Sequence, residues 1–357
     1  MPRLSSTRLK APVNVTWEIT RACNLSCSHC LSADLRARTG SAGGTSPLPI
    51  AVPAGELDLR QCRNLVDELA RMEVFQINFG GGEPFLRPDF LPLLRYAHLR
   101  GLTTCVSTNG TVLTDCLVDL LLKIAPVYLQ VSLDGARAET NDAIRGAGTF
   151  QRIMSGIELL AERSYPDFSL NMVVTRLNAG ELAEFHQLSR HYGAKTRLSR
   201  FRPSGAGCGT WEDYRLTKDQ LLELSGFLGE HPEILTGDSF FALTPESRRD
   251  LGLNMCGAAK MTCAVAPDGG VYPCAFLSQP EFLAGNVTER ALSRIFAESP
   301  VLESFRGLVV ESCRGCDRFE VCHGGCPAVG YFLGESTGLP DPECLRSLLP
   351  VQGGPGG

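Results

Sequence analysis

The sequence predicts an α/β fold: a partial, TIM-like (β/α)6 barrel followed by a small cysteine-rich domain. Three observations predict it. Six short strand-like segments alternate with helical segments over the first 200 residues. From about Leu251 the pattern breaks into short stretches dominated by cysteine and glycine. Of the 15 cysteines, the majority fall into patterned groups. Repeated βα units imply a parallel sheet covered by helices, because each crossover must return over the face of the sheet. Six units rather than the eight of a closed barrel leave that sheet open.

The elements follow in order. Residues 13–19 alternate apolar and polar side chains and end just before the first cysteine group. Residues 75–79 form a short apolar run ending in glycines, and 103–107, 127–133, 168–174 and 195–201 complete the six strands. Apolar residues at helical spacing place helices over 59–72, 89–99, 115–124, 150–162 and 182–192. Residues 33–55 are rich in Gly, Ser and Pro and read as a flexible insert. A Gly-rich linker over 203–210 closes the barrel. The expected division is therefore a barrel over 1–210, a bridging segment over 211–250, a cysteine-rich domain over 251–348 and a disordered tail over 349–357. The third of these is too poor in apolar periodicity to fold without metal.

Composition narrows the function. The chain is 43% apolar and 20% charged, which is ordinary for a globular protein. A net charge of −5 with no basic tract argues against a nucleic-acid partner. The N-terminus, MPRLSSTRLKAPV, carries positive charges but no apolar core, so it is not a signal peptide. No apolar run approaches the ~18 residues of a membrane span. A cytoplasmic protein with no membrane partner is expected.

The first cysteine group reads TRACNLSCSHCLS, giving Cys23-x3-Cys27-x2-Cys30. A reducing compartment and these tight spacings disfavour disulfides. Three thiolates can hold three irons of a four-iron cluster and leave the fourth open to an amino acid's amine and carboxylate. The alternative is a structural zinc site with His29 as fourth ligand. Its place after the first strand, at the barrel mouth, favours the cluster. One βα unit later comes Gly80-Gly81-Gly82-Glu83-Pro84, where glycines permit close ligand approach and Glu83 can accept from an ammonium. Ser107-Thr108-Asn109-Gly110 and Ser132-Leu133-Asp134-Gly135 end the third and fourth strands on the same rim.

The second group reads Cys256-x6-Cys263-x10-Cys274, then Cys313-x2-Cys316-x5-Cys322-x3-Cys326, then Cys344. Eight thiolates suffice for two fully ligated four-iron clusters. Two zinc sites are the alternative, although x5 and x3 spacings are less usual for zinc. Cys62, Cys105 and Cys116 read as small buried hydrophobes. Cys208, in SGAGCG, stays open.

The CxxxCxxC loop after the first strand resembles that of the radical S-adenosylmethionine superfamily. That resemblance implies a 4Fe-4S cluster on Cys23, Cys27 and Cys30 with S-adenosylmethionine on its open iron. It implies that His29 packs near the adenine, and that Gly81, Gly82 and Glu83 meet the methionine amine. Asn109 lies on the same rim and Ser132 reaches the ribose. Arg145 resembles the arginine that pairs with the methionine carboxylate; read from the residues alone, it is alternatively a surface salt bridge. Reductive cleavage of the cofactor would give methionine and a 5′-deoxyadenosyl radical that abstracts hydrogen from a substrate. The distal cysteines are similar in spacing to the SPASM domain of peptide-modifying radical enzymes. By that resemblance Cys256, Cys263, Cys274 and Cys326 hold one cluster and Cys313, Cys316, Cys322 and Cys344 another, making three 4Fe-4S clusters in all.

Longer stretches, TRLSRFRPSGAG, LTGDSFFAL, GLNMCGAAKMTC and FLAGNV, resemble the mycofactocin radical maturase family. The resemblance runs over about 12–345, interrupted by the 33–55 insert. It implies a precursor peptide ending in Val-Tyr, whose tyrosine is oxidatively decarboxylated and then joined to the valine side chain. Decarboxylation must shed one more electron, for which an auxiliary cluster is an acceptor. About 22 residues precede Cys23, too few for a fused peptide-binding domain, so a separate small recognition chaperone is expected beside an electron donor. Sulfatase-maturing relatives carry an Asp directly after the third auxiliary cysteine; here that position is Ala275, and no catalytic base is assigned. Competing readings are another SPASM enzyme (a pyrroloquinoline quinone precursor maturase or a haem-pathway porphyrin decarboxylase) and a non-catalytic, zinc-bound interaction protein.

Overall fold

The computed structural model describes residues 8–33, 37–38, 52–124, 127–236, 256–316 and 319–344. Most of the 33–55 insert, the end of the 211–250 bridge and the 349–357 tail lie outside the described residues.

Strand β1 (Asn14–Thr20) leads into β2 (Ala22–Cys23), which forms a two-residue parallel ladder with β3 (Ala37–Arg38). Then follow α1 (Leu59–Arg71), β4 (Gln76–Gly81), α2 (Phe90–Leu99), β5 (Thr103–Thr108), α3 (Asp115–Ile124) and β6 (Val127–Ser132). After α4 (Ala138–Arg145) and α5 (Thr149–Glu162) come β7 (Phe168–Val174), α6 (Leu182–His191) and β8 (Lys195–Arg200). Helices α7 (Gly207–Tyr214) and α8 (Lys218–Glu230) precede the cysteine-rich region. That region contains β9 (Thr262–Val265), β10 (Gly270–Tyr272), β11 (Gly285–Asn286), α9 (Leu292–Glu298), α10 (Pro300–Arg306), α11 (Phe319–Cys322) and α12 (Pro327–Gly334).

Strands β1, β4, β5, β6, β7 and β8 pair in that order, each pair parallel. This is the open (β/α)6 barrel that the alternation predicts. β8 is one edge of the sheet. On the other side β1 pairs in parallel with β9, and β10 and β11 continue antiparallel. The sheet therefore runs from the barrel into the cysteine-rich region. Val265, Val271, Ile295 and Phe296 lie in the same apolar cluster as Val15 and Trp17. The cysteine-rich region thus shares a core with the barrel, and metal is not its only source of cohesion.

One face of the sheet is apolar and covered by helices. Trp17, Phe79 and Phe90 pack there, with ring centroids 5.6 Å apart for the first pair and 5.3 Å for the second. Each such side chain contributes about 1.5–3 kcal/mol by leaving water. The alternating residues Thr16, Asn78, Gln130 and Ser132 project to the other face and are half-buried. Parallel sheets are usually apolar on both faces. A polar second face instead leaves room for a polar ligand.

Helix α1 is closed at its start by a reciprocal capping box, Asp58 with Gln61, a device worth about 1 kcal/mol. Three local features differ from the sequence expectation. Helix α4 was not expected: its segment is polar, and its buried positions include Asn141 and Arg145. Helix α7 begins inside the expected 203–210 linker, because Trp211 buries against Phe201 at 5.4 Å and overrides the low helix propensity of Gly207 and Gly209. Cys62 and Cys105 are buried, but Cys116 is exposed, since α3 buries Val118 and Leu121 instead. Among the described residues no helix is long and apolar enough to cross a membrane.

Candidate functional site

The Cys23, Cys27 and Cys30 loop lies at the C-terminal end of β1, where backbone polar groups of a parallel sheet are exposed to ligands. Its conformation is fixed from three sides. Ser28 donates through its backbone N–H and its hydroxyl to Ile144 O, at 2.9 and 3.1 Å. Ala206 N–H donates to Cys30 O at 2.9 Å. Thr210 Oγ1 donates to Ser28 O at 3.2 Å. Gly205 is required in the second contact: a Cβ there would lie 2.4 Å from Leu31 O. The segment expected to be a linker is part of the site.

Asn109 joins the cluster loop to the rim of β5. Its Nδ2 donates to Asn24 Oδ1 at 2.8 Å and lies 4.0 Å from Cys23 Sγ. Its Oδ1 accepts from the backbone and hydroxyl of Thr111.

The Gly81-Gly82-Glu83 turn presses on the same loop. Gly82 N–H donates to Thr20 O and Glu83 N–H to Ala22 O, at 2.8 and 2.7 Å. A Cβ on Gly82 would fall 1.9 Å from Ala22 O, so the close approach that requires glycine is made by the protein's own backbone. Glu83 is fully buried. Its carboxylate accepts from Asn109 N–H at 2.7 Å, Thr108 Oγ1 at 2.9 Å and Phe85 N–H at 3.2 Å. Burial pushes its carboxyl up to about 7, against the lowering effect of those donors and of Arg145.

Asp134, quoted in the strand-four motif but given no role from sequence, is the pivot of the rim. It is fully buried and accepts from Val173 N–H at 2.8 Å. His29 Nε2 and Arg145 Nε each lie 2.7 Å from its Oδ2. Burial alone would raise its carboxyl, but Arg145 and His29 overcome that and hold it down at about 2. Arg145 is only 6% exposed, so its salt bridge is an internal one and the surface reading is overturned. Cys27 and Cys30 are among the charges that raise Arg145's affinity for its proton, after Asp134. Ser132, at the end of β6, is half-buried on the polar face.

These residues fit a cofactor that carries both an amine and a carboxylate, beside a sulfur-ligated metal. His29 Nδ1 is buried without a hydrogen bond, while His29 Nε2 and Arg145 Nε are held by Asp134. A Cβ on Gly80 would meet nothing within 4 Å. Among the described residues the trio of ligand-type side chains with donor atoms within 4.8 Å of one another contains no cysteine. None of the 15 cysteines forms a disulfide.

The distal cysteines divide into two neighbourhoods. Burial and the adjacent Cys256 and Cys326 push the Cys274 thiol up. Burial raises Cys322 to about 11, with Cys344 and Cys313 as neighbours, and Cys313 also senses Cys316. Cys263 stands apart from the first set. It is fully buried on β9, in register with Val15, and burial raises its thiol to about 12 against the lowering effect of Arg306. Asp341 ties the two neighbourhoods together. Its carboxylate receives Arg200 at 2.5 and 2.6 Å and Cys326 N–H at 3.0 Å, and its carbonyl accepts from Cys344 N–H at 3.1 Å. Arg200 and Asp341 had no signal in the sequence, since they meet only across the fold.

Residues 17–188 match the Radical SAM superfamily, and residues 256–326 match SPASM, an iron-sulfur cluster-binding domain. The chain is 42% identical to the mycofactocin maturase MftC of Mycobacterium ulcerans over 95% of its own length and 89% of that protein's. It is 30% identical to an AdoMet-dependent heme synthase of Methanosarcina barkeri, over 94% of this chain and 97% of the other. Among solved structures, SuiB of Streptococcus suis bound to its precursor peptide SuiA superposes with a TM-score of 0.73 at 17% identity, covering 95% of this chain and 77% of that one; this likeness bears on the fold. With the three-cysteine loop at the barrel mouth and the cysteine-rich region on the same sheet, the chain belongs to the mycofactocin maturase family of radical S-adenosylmethionine enzymes with a SPASM domain.

Proposed function

We propose that the protein oxidatively decarboxylates the C-terminal tyrosine of a mycofactocin precursor peptide and then joins the unsaturated end to the side chain of the penultimate valine. The observation that carries this reading is the 42% identity to a mycofactocin maturase along 95% of the chain. The 30% identity to a heme synthase supports shared machinery more than a shared substrate. S-Adenosylmethionine, bound and reductively split, supplies a 5′-deoxyadenosyl radical that takes a hydrogen atom from the substrate.

The chain's own residues hold and orient that chemistry. Cys23, Cys27 and Cys30 would ligate the 4Fe-4S cluster. Glu83 and the backbone of Gly81 and Gly82 would receive the methionine amine, and Arg145 its carboxylate, where a guanidinium fork suits a carboxylate. Ser132 would face the ribose and His29 the adenine. Asn109 would position the loop through Asn24. Two further 4Fe-4S clusters would sit on Cys256, Cys263, Cys274 and Cys326 and on Cys313, Cys316, Cys322 and Cys344. Loss of a hydrogen atom from the tyrosine Cβ, of carbon dioxide and of the carboxyl proton leaves one electron to be removed. The joining step would take a hydrogen atom from the valine side chain and, after addition to the alkene, need one electron and one proton in return, so the peptide's oxidation level is unchanged. The precursor would be presented by a separate small recognition protein, in the cytoplasm, with an external electron donor.

The test is anaerobic incubation of the reconstituted enzyme with a reductant, the cofactor, the recognition protein and a peptide ending in Val-Tyr. Mass spectrometry should show loss of carbon dioxide and two hydrogens. An unchanged peptide, under conditions where the cofactor is cleaved, would sink the substrate assignment.

A further inference from the structure

A second group of ligand-type side chains contains no cysteine. His186 projects from α6 (Leu182–His191), and His231 and Glu233 follow the end of α8 (Lys218–Glu230). Their donor atoms all lie within 4.8 Å of one another, and this is the one trio of His, Cys, Asp or Glu to do so among the described residues.

The distances suit a small divalent ion. Glu233 Oε1 is 3.2 Å from His186 Nε2 and 3.2 Å from His231 Nδ1. Bonds of about 2.0–2.1 Å in a tetrahedron separate neighbouring donors by about 3.3–3.4 Å. Two of the three edges are therefore already at ligand spacing.

The scaffold is also set for it. His186 is 6% exposed. Its Nδ1 lies 2.7 Å from Thr196 Oγ1, the outer partner that fixes the tautomer and ring plane of a metal-binding histidine. That bond presents Nε2 to Glu233, yet Nε2 is buried with no aligned hydrogen bond. A cation bound to both Nε2 and Glu233 Oε1 would satisfy the two atoms together. The segment carrying His231 and Glu233 is pinned to the edge of the sheet: Leu235 N–H donates to Thr196 O at 2.9 Å, and Leu198 N–H to Leu235 O at 2.8 Å. His231 and Glu233 remain partly exposed, which gives an ion a path in and leaves room for a water as fourth ligand.

We propose that His186, His231 and Glu233 form a zinc site that clamps α6 and the segment after α8 to β8, independent of the cysteine-bound iron. Two imidazoles and one carboxylate are a donor set that zinc takes. The role is structural.

The experiment uses the full, cluster-loaded chain, purified anaerobically with zinc in the medium. Elemental analysis should find about one zinc per chain beyond the iron, and zinc-edge absorption should show a shell of nitrogen and oxygen at about 2.0–2.1 Å. His231→Ala and Glu233→Gln should each lose that zinc while keeping full iron content and unchanged cofactor cleavage. The wild-type measurement alone can overturn the proposal: no zinc, or zinc in a sulfur shell at about 2.3 Å, excludes the site. Zinc retained in both variants excludes it equally.

Discussion

Replacing Asp134 with Asn keeps the shape of a fully buried side chain and deletes the charge that faces His29 and Arg145 at 2.7 Å. The carboxyl is held at about 2 against an ordinary 3.8. At about 1.4 kcal/mol per unit, that depression corresponds to about 2 kcal/mol favouring the folded state near neutral pH. Because the value is depressed, this contribution is present above about pH 4 and is lost as the pH falls towards 2. The substitution also strands Arg145, and breaking a buried pair from one side costs about 3–5 kcal/mol. The two figures overlap, since Arg145 causes much of the depression, so the larger one decides. A chain of 357 residues has an unfolding entropy of about 0.75 kcal/mol/K, so the midpoint should fall by about 4–7 °C. The assay is scanning calorimetry of the anaerobic, cluster-loaded protein. Asp134→Asn combined with Arg145→Met should regain most of the loss, because no unpaired charge is left behind. A shift below about 1 °C, or a double variant no better than the single one, would refute the reasoning.

Two other expectations follow from the same physics. With its carboxyl at about 7, Glu83 goes from about one-tenth ionised at pH 6 to nine-tenths at pH 8. Cofactor affinity, read by equilibrium binding, should therefore climb about tenfold over that window relative to Glu83→Gln; the raised value also means that Glu83 favours the cofactor-free fold below about 4.5 and that this is lost as pH rises through 7. Cys274→Ala should remove iron from an auxiliary site, because Cys274 neighbours Cys256 and Cys326. Cys263→Ala should remove the same iron, as a fellow ligand of that site; iron kept in full by this variant would take Cys263, which lies opposite Val15, out of the ligand set.

Much of the barrel was legible because its segments are periodic. The strands and helices from Asn14 to Arg200 fall close to the expected bounds, since each strand alternates and each helix carries an apolar stripe. What escaped lacked such a stripe. Helix α4 buries Asn141 and Arg145, which no hydrophobic pattern can flag, and α7 opens on glycine. The β1–β9 pairing joins segments far apart in sequence through a strand of four residues, too short to declare a partner. At the site, spacing exposed the cysteines and the glycine turn, because short-range geometry is written in neighbouring residues. Asp134 was visible as a residue but not as the shared partner of His29 and Arg145, and Arg200 with Asp341 was not visible at all. Those pairings depend on tertiary contact, which residue spacing does not encode.

The most direct test of the radical centre is S-adenosylmethionine cleavage by a variant carrying Cys23→Ala, Cys27→Ala and Cys30→Ala. Under anaerobic reducing conditions the wild-type enzyme should release 5′-deoxyadenosine. The variant should release none while still holding the iron bound by its distal cysteines. Continued release of 5′-deoxyadenosine by the variant would contradict the assignment of that loop as the source of the radical.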